Sequence, residues 1–183
     1  MEEQGLAGEY GIRELCAEDA APVLAAYLRN REHLAPYEPD RGDGYLTLEG
    51  QRAAVAERLD GIRAGQAASW VLTHGDDVVG RVNLSTIVRG IFRSASVGYW
   101  VDRDHVGRGL ATAAVGYVCG AALDLGLHRL QAGTYPDNVG SQTVLLRNGF
   151  TLIGPAPAYL FIAGEWRDHL LYQRVLHDRP PVG

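Results

Sequence analysis

Three strand-like segments follow one another in the middle of the chain, and helix-like segments flank them on both sides. Residues 69–73, 78–88 and 94–101 have the composition of strands, and HGDD at 74–77 is typical of a hairpin turn. Consecutive strands joined by short turns can pair antiparallel. The run therefore restricts the chain to a mixed α/β fold in which part of the sheet is antiparallel.

The segments on either side complete the element order β-α-α-β-β-β-α-β-α-β-β. Residues 31–46 contain two Pro and two Gly, so we expect them to be largely loop. A length of 183 residues fits one domain, assigned to residues 1–178 with a short tail at 179–183, and residues 1–9 are expected to fray. The predicted helices cover residues 18–30, 47–63, 110–125 and 136–148, and the outer strands cover residues 10–15, 128–135, 158–163 and 169–176.

The charged residues exclude several kinds of chemistry. All seventeen basic residues are Arg, so no lysine is present to form a Schiff base, anchor pyridoxal phosphate or complete a P-loop. The net charge of −5 argues against direct nucleic-acid binding, and the six His residues have no metal-ligand spacing. Two widely separated cysteines, no secretory signal and no apolar run long enough for a membrane span predict a cytoplasmic protein that binds no metal.

The strand at 94–101 runs through a glycine-rich loop into the helix at 110–125. HVGRGLA at 105–111 places small residues where backbone N–H groups and a helix N-terminus can approach an anion closely. A pyrophosphate suits this geometry, although a glycine pair before a helix is also common in simple turns. The spacing is not that of a dinucleotide fingerprint, which needs a third Gly and a ribose-binding acid.

Six motifs of the chain resemble, in the same order, those of the GNAT superfamily of acyl-CoA-dependent N-acyltransferases. The resemblance covers residues 10–177 and is closest to the RimJ/RimL branch, the ribosomal-protein alanine N-acetyltransferase type. It implies a GNAT fold: a mixed, mostly antiparallel sheet of six to seven strands with about four helices, splayed between strands 94–101 and 128–135. The motifs are NREHLAPYEP (30–39), GYWVD (98–102), GxGLAT (107–112), PDNxxS (136–141), RNGF (147–150) and EWRDHLLY (165–172).

The resemblance also implies a site for acetyl-CoA. The glycine-rich loop would bind the CoA pyrophosphate through backbone N–H groups, and the preceding strand would pair with the pantetheine arm at Trp100 and Val101. A backbone N–H near Tyr99 is the candidate oxyanion donor. Arg108 either adds charge to a phosphate or is a solvated surface residue. The loop residues are Val106, Gly107, Arg108, Gly109, Leu110, Ala111 and Thr112, where much of the superfamily has Gln or Arg in place of Val106.

Asn138 and Ser141, which follow the strand at 128–135, complete the candidate site. By resemblance Asn138 lies near the pantetheine, and its alternative role is a helix cap. Ser141 matches a Ser that protonates or hydrogen-bonds the leaving thiolate, and its alternative role is a polar residue of a helix. Many relatives place a Tyr one helical turn further along, where this chain has Leu145. Ser141 and Tyr99 are therefore the candidate catalytic residues.

The general base is not evident in the sequence. Ser96 and Leu160 occupy positions where relatives often carry Glu. An α-amine has a reference pKa of about 8, so water can accept its proton, or a more distant group can act through water. The more distant candidates are Glu38, Asp40, Glu165 and His74.

The acceptor site is expected beside Tyr37. Glu38 and Asp40 border it by resemblance, and an acidic rim would favour a cationic amine. Each carboxylate is otherwise a solvated surface group. Glu165 is the fourth candidate acceptor contact, and Asp168 is expected to stabilise the last hairpin.

The sequence thus predicts transfer of an acetyl group from acetyl-CoA to a primary amine, either a protein N-terminus or a small amine, by direct attack. One alternative is a non-catalytic acyl-CoA-binding sensor or partner-binding protein of the same fold, because both candidate Glu positions are vacant. Another is a succinyl-CoA or other acyl-CoA donor. A homodimer is expected by analogy only.

Overall fold

The computed structural model describes residues 3–39 and 41–180. Within this part of the chain, eight strands form one sheet and five α-helices pack against it. The strands are β1 Gln4–Ala7, β2 Tyr10–Glu14, β3 Ala68–His74, β4 Asp77–Val88, β5 Ser94–Val101, β6 Arg129–Thr134, β7 Thr151–Ile162 and β8 Glu165–Val175. The helices are α1 Ala20–Arg29, α2 Arg31–Leu34, α3 Leu48–Arg63, α4 Leu110–Asp124 and α5 Val139–Arg147.

The strand order across the sheet is β1-β2-β3-β4-β5-β6-β8-β7, and every neighbouring pair except β5 and β6 is antiparallel. This confirms the predicted mixed, mostly antiparallel sheet. The sheet has one strand more than the upper end of the predicted six to seven, because residues 4–7 form a strand where we expected fraying. β1 pairs with β2 through Gly5 and Gly11, and Leu6 packs against the core.

Further boundaries differ from the sequence prediction, and one of them is the start of β8 at Glu165 rather than near residue 169. β7 begins at Thr151 rather than near residue 158, although Pro155 and Pro157 lie within it. Proline is tolerated there because β7 is an edge strand, in which one side of the backbone needs no hydrogen-bond donor. The predicted loop at 31–46 contains the single turn of α2, which raises the helix number to five.

The sheet splays apart between β5 and β6, as the resemblance predicted. The two strands pair in parallel only where Ser94, Ala95 and Ser96 face residues 129–131. Beyond Ser96 they diverge, so none of the described strands lies beside that edge of β5 from Val97 to Val101. The resulting gap is where the candidate site lies.

The helices cover both faces of the sheet. On one face α4 buries Leu110, Val115 and Val118 against the strands. On the other face α1 and α3 bury Val23, Tyr27 and Val55 together with residues that include Trp100 of β5. α3 begins as predicted, because the Thr47 side chain accepts a hydrogen bond of 3.1 Å from the Gly50 N–H. None of the helices in the described part of the chain has the length and hydropathy needed to cross a lipid bilayer.

Candidate active site

A cavity of about 460 Å³ opens at the splay, between β5 and the N-termini of α4 and α5. It brings together most of the residues that the sequence predicted for the cofactor and the chemistry. These are Tyr37, Tyr99, Trp100, Val101, Val106, Gly107, Gly109, Leu110, Ala111, Thr112, Asn138 and Ser141.

The glycine-rich loop exposes backbone donors to this cavity. Gly107 and Gly109 have φ angles of 77° and 78°, which L side chains rarely adopt. A Cβ built on either glycine would meet no atom within 4 Å, so the space in front of the loop is open. The Ala113 N–H donates to the Gly109 carbonyl, so the N–H groups at positions 110–112 precede the first bond of the helix. This arrangement suits a bound anion.

Buried side chains hold the start of that loop in place. Asp102 accepts hydrogen bonds from the Asp104 N–H at 3.0 Å and from Arg29 Nε at 2.8 Å. Asn30, at the end of α1, accepts from the Arg103 N–H at 2.8 Å. Burial raises the pKa of the Asp102 carboxyl, but hydrogen bonds from the Asp104 N–H and from Asn30 and Arg29 outweigh burial and hold it below its ordinary value.

The free edge of β5 directs backbone N–H groups into the splay. The Asp102 N–H donates to the Val79 carbonyl at 2.8 Å, so this N–H points towards β4. N–H groups alternate in direction along a strand, so those of Tyr99 and Val101 point away from β4. Beyond Ser96 no strand in the described part of the chain pairs with that edge. The predicted oxyanion donor near Tyr99 therefore has the required direction.

The Tyr99 side chain reaches the first turn of α5. Its hydroxyl lies 2.8 Å from the Ser141 hydroxyl and donates to the Ser141 carbonyl at 3.2 Å. Burial raises the pKa of Tyr99 to about 12, and the hydrogen bond with Ser141 partly opposes this. The Asn138 side chain accepts a 2.9 Å hydrogen bond from the Ser141 N–H, so Asn138 caps α5 and also lines the cavity.

Several predicted residues do not line this cavity. Arg108 is exposed, and its Nη2 donates to the Asp104 carbonyl at 3.2 Å. Glu38 lines a neighbouring cavity, where it accepts a 3.3 Å hydrogen bond from the Tyr27 hydroxyl. Glu165 pairs with Arg167 at 2.5 Å on the surface. Asp40 lies outside the described residues.

Among the described positions considered for a general base, none places a carboxylate in the cavity at the splay. Ser96 lies where β5 and β6 still pair, and Leu160 is an exposed residue of β7. His74, the imidazole candidate, contacts His105 and Glu9 and does not line the cavity. No described residue that lines the cavity is Asp or Glu. The described residues also contain no group of three or more potential metal ligands.

Some residues near the site escaped the sequence interpretation. Arg29 and Asn30 support the loop from a helix more than 70 residues away in sequence, and no local pattern reveals that contact. Asp102 and Arg147 belong to the GYWVD and RNGF motifs, which could have drawn attention to them. Arg147 lines the cavity at the end of α5 and adds a positive charge to it.

Fold and cavity together define a protein that presents a helix N-terminus and a free strand edge to an elongated, anionic cofactor. The family described as an acetyltransferase (GNAT) domain matches residues 10–151. A probable N-acetyltransferase, YjcK of Bacillus subtilis, is 36% identical over 161 residues, covering 86% of this chain and 89% of the relative. The [ribosomal protein uS5]-alanine N-acetyltransferase of Escherichia coli is 32% identical over 176 residues, and the match covers 93% of this chain and 89% of the Escherichia coli enzyme.

Solved structures agree with these matches. Ribosomal-protein-S5-alanine acetyltransferase of Vibrio fischeri superposes with a TM-score of 0.92 at 30% identity, covering 99% of this chain and 100% of that one. RimJ of Mycobacterium smegmatis, solved in complex with CoA-disulfide, gives a TM-score of 0.87 at 30% identity, covering 94% and 85%.

The chain therefore belongs to the GNAT acetyltransferase family, and its relatives include the RimJ and RimL enzymes. This confirms the predicted family and the predicted acetyl-CoA-dependent N-acetyltransferase activity. The matches favour neither a non-catalytic binding protein nor a different acyl donor.

Proposed function

We propose that the enzyme acetylates the α-amino group of a protein N-terminus. The observation that carries the transfer step of this proposal is the free edge of β5, whose Tyr99 and Val101 N–H groups point into the splay beside Ser141. The relatives named as ribosomal-protein alanine N-acetyltransferases support an N-terminal acceptor.

In this proposal the cofactor lies along β5 with its phosphates at α4. The N–H groups at positions 107–112 bind the pyrophosphate, and Arg147 supplies a further positive charge nearby. The pantetheine amides pair with the unpartnered edge of β5 as a neighbouring strand would. Arg108 stays a candidate phosphate ligand, because its exposed side chain lies next to the loop.

The chemistry follows from what meets at the splay. The acceptor nitrogen attacks the thioester carbonyl carbon, and the Tyr99 N–H stabilises the negative oxygen that forms. The carbon–sulfur bond then breaks, and the Ser141 hydroxyl donates a hydrogen bond to the departing thiolate. Tyr99 stays protonated at neutral pH, and in this proposal its one proton turns from the Ser141 carbonyl to Ser141 Oγ, which leaves the Ser141 proton for the sulfur.

Removal of the amine proton needs no carboxylate in this proposal. Roughly a tenth of an amine with a pKa of about 8 is neutral at pH 7, and this fraction reacts directly. No Asp or Glu lines the described part of the cavity, although His33 and His105 do, and in this proposal water accepts the proton. Glu38 borders the neighbouring cavity and is retained as an acceptor contact together with Tyr37, and Asp40 and Glu165 stay candidates beside them.

A test of the acceptor compares matched amines with acetyl-CoA as donor and free-thiol release as the readout. With peptides that begin with Ala or Ser, the enzyme should release the CoA thiol. With the same peptides carrying a blocked N-terminus, it should release none. Thiol release with small amines such as polyamines, and none with free peptides, would contradict an N-terminal acceptor. Cytoplasmic location, organisation of residues 1–178 as one domain and a homodimer stay predictions alongside this proposal.

A further inference from the structure

A second cavity of about 560 Å³ opens on the face of the sheet that carries α1 and α3. It lies between α3 and the ends of β3 and β4, away from the glycine-rich loop. Three of its lining residues are arginines, Arg41, Arg58 and Arg81. Glu57 is the one carboxylate among the described lining residues.

Arg81 is the most unusual of the three. Its side chain is 7% exposed, and one end of the guanidinium donates from Nη2 to the Tyr27 hydroxyl at 3.0 Å. Its buried Nε has no hydrogen-bond partner among the described residues. The Tyr27 hydroxyl in turn donates to Glu38, so within the described chain Arg81 reaches a carboxylate only through Tyr27. A buried cation with no carboxylate in direct contact is costly, so this site favours an anion that enters the cavity.

The other two arginines add positive charge to the same space. Burial lowers the pKa of Arg58, and the neighbouring charges of Arg81 and Arg41 lower it further. In the described part of the chain no carboxylate lies within 4.0 Å of the Arg58 or Arg81 guanidinium. Arg41 forms an ion pair with Glu38, in which 3.5 Å separate Arg41 Nε from Glu38 Oε2. The cavity therefore holds more positive than negative charge.

A further cavity lies between the arginine cavity and the candidate active site. This third cavity, of about 510 Å³, shares Arg41 and Tyr45 with the arginine cavity and shares Leu34 with the cofactor cavity. Within the sheet, Arg81 of β4 pairs with Trp100 of β5, and Tyr27 contacts both side chains. These shared residues place the third cavity beside both the splay and the three arginines.

We propose that Arg41, Arg58 and Arg81 bind an oxyanion of the acceptor, either a carboxylate or a phosphate, while its amine reaches the splay. This inference rests on the proposed acetylation of an N-terminal amine. It assigns to the acceptor an acidic or phosphorylated residue close to its N-terminus. Arg58 is the best residue to vary, since it is half-buried and its loss leaves the sheet intact.

The test measures kcat/KM for hexapeptides that begin with Ala and carry one Glu at position 2, 3 or 4, each with its Gln counterpart. A second set carries phosphoserine at the same positions, which separates carboxylate from phosphate recognition. We expect at least one anionic peptide to exceed its neutral counterpart by about tenfold, as one charge-assisted hydrogen bond provides. Equal values for all pairs would overturn the inference.

Variants assign the effect to the cavity. In Arg58→Gln the ratio of kcat/KM between the anionic and the neutral peptide should fall to about one. In Arg58→Glu the preference should reverse towards a Lys-containing peptide. A purely structural residue would not produce such a reversal. Arg52→Gln is the matched control, since Arg52 is an exposed residue of the same helix outside the cavity. Equal loss of preference in the Arg52 and Arg58 variants would contradict the site.

A binding measurement separates this inference from the proposed acceptor. With the cofactor cavity saturated by CoA, inorganic phosphate should raise the Tm of the wild type and of Arg52→Gln, but not of Arg58→Gln. Stabilisation that depends on Arg58, with no peptide acetylated, would support the anion site and contradict the N-terminal acceptor. Acetylation of every peptide without charge preference would support the acceptor and contradict the anion site.

Discussion

The Tyr99 hydroxyl lies 2.8 Å from the Ser141 hydroxyl and joins the free edge of β5 to the first turn of α5. The contact closes one side of the splay with two hydroxyl groups and fixes the Ser141 rotamer. Asn138, which caps α5 at the Ser141 N–H, holds the same turn. Ser141 is thereby placed to serve the sulfur of a cofactor that pairs with β5.

Substitution of Ser141 should affect turnover more than cofactor affinity. Ser141→Ala removes the donor to the thiolate, and we expect kcat to fall about a hundredfold while the Kd of acetyl-CoA stays within about twofold. Steady-state kinetics and calorimetry measure the two quantities. Thr143→Ala, a variant of a hydroxyl in the same helix that bonds the Val139 carbonyl, is the control. Unchanged turnover in Ser141→Ala would remove Ser141 from the mechanism.

Bulk at the glycine-rich loop should abolish cofactor binding. Gly107→Glu and Gly109→Glu add strain at positive φ and place a negative side chain where the phosphates would bind. Calorimetry should detect no acetyl-CoA binding in either variant. Gly90→Glu is the matched control, since Gly90 has a φ of 69° and lies in the turn between β4 and β5. Retained affinity in both loop variants would refute this placement of the pyrophosphate.

Asp102 should matter for the stability of the loop. Asp102→Asn weakens its buried contacts with Arg29 and the Asp104 N–H, and we expect the free energy of unfolding to fall by about 1–3 kcal/mol. Urea denaturation measures the free energy of unfolding of this variant and of the control Asp104→Asn, which changes an exposed carboxylate. The control should unfold with a free energy close to that of the wild type. An equal change in both variants would show that burial of Asp102 is unimportant.

The same carboxyl predicts a pH dependence of stability. Its folded-state pKa is lowered, so its stabilising contribution is present above the unfolded pKa of about 4 and is lost as the pH falls through the folded value. The stability difference between wild type and Asp102→Asn should therefore narrow below about pH 4. A difference that stays constant down to pH 2 would contradict the lowered pKa.

The pH–rate profile should follow the acceptor rather than the enzyme. If water accepts the amine proton, kcat/KM rises with pH and levels off above the pKa of the acceptor amine, at about 8 for an N-terminus. The Tyr99 pKa of about 12 lies well above this range, so its ionisation does not lower the rate there. An acceptor with a lower amine pKa should shift the profile to lower pH. Identical profiles for both acceptors would indicate a general base on the enzyme.

Much of the fold was predictable because its signals are local. The Thr47 cap, the glycines at 107 and 109 and the strand pattern at 94–101 each act within a few residues, and the structure places α3, α4 and β5 accordingly. β1 was missed because QGLA has no pattern of its own and is held by pairing with β2. β7 was shortened because its prolines suggest a loop unless the strand is known to lie at an edge.

The site was predictable only where motifs mark it. The glycine-rich loop was recognised from its small residues before a helix, and Asn138 and Ser141 came from the resemblance. The cavity is lined by Asn138, Ser141 and all of the predicted loop residues except Arg108. Contacts between residues distant in the chain were not predictable, among them Tyr99 with Ser141 and Arg29 with Asp102. The arginine cavity was not predictable for the same reason, since Arg41, Arg58 and Arg81 lie in a loop, a helix and a strand that only the fold brings together.

The measurement that tests the account most directly is amide hydrogen exchange with and without acetyl-CoA. Binding along the splay should slow exchange in residues 97–101, which form the free edge of β5, and in residues 107–113, which contain the unpaired N–H groups of α4. Residues 151–162 of the edge strand β7 should not change. Unaltered exchange at 97–101 and 107–113 in the presence of saturating acetyl-CoA would contradict the site.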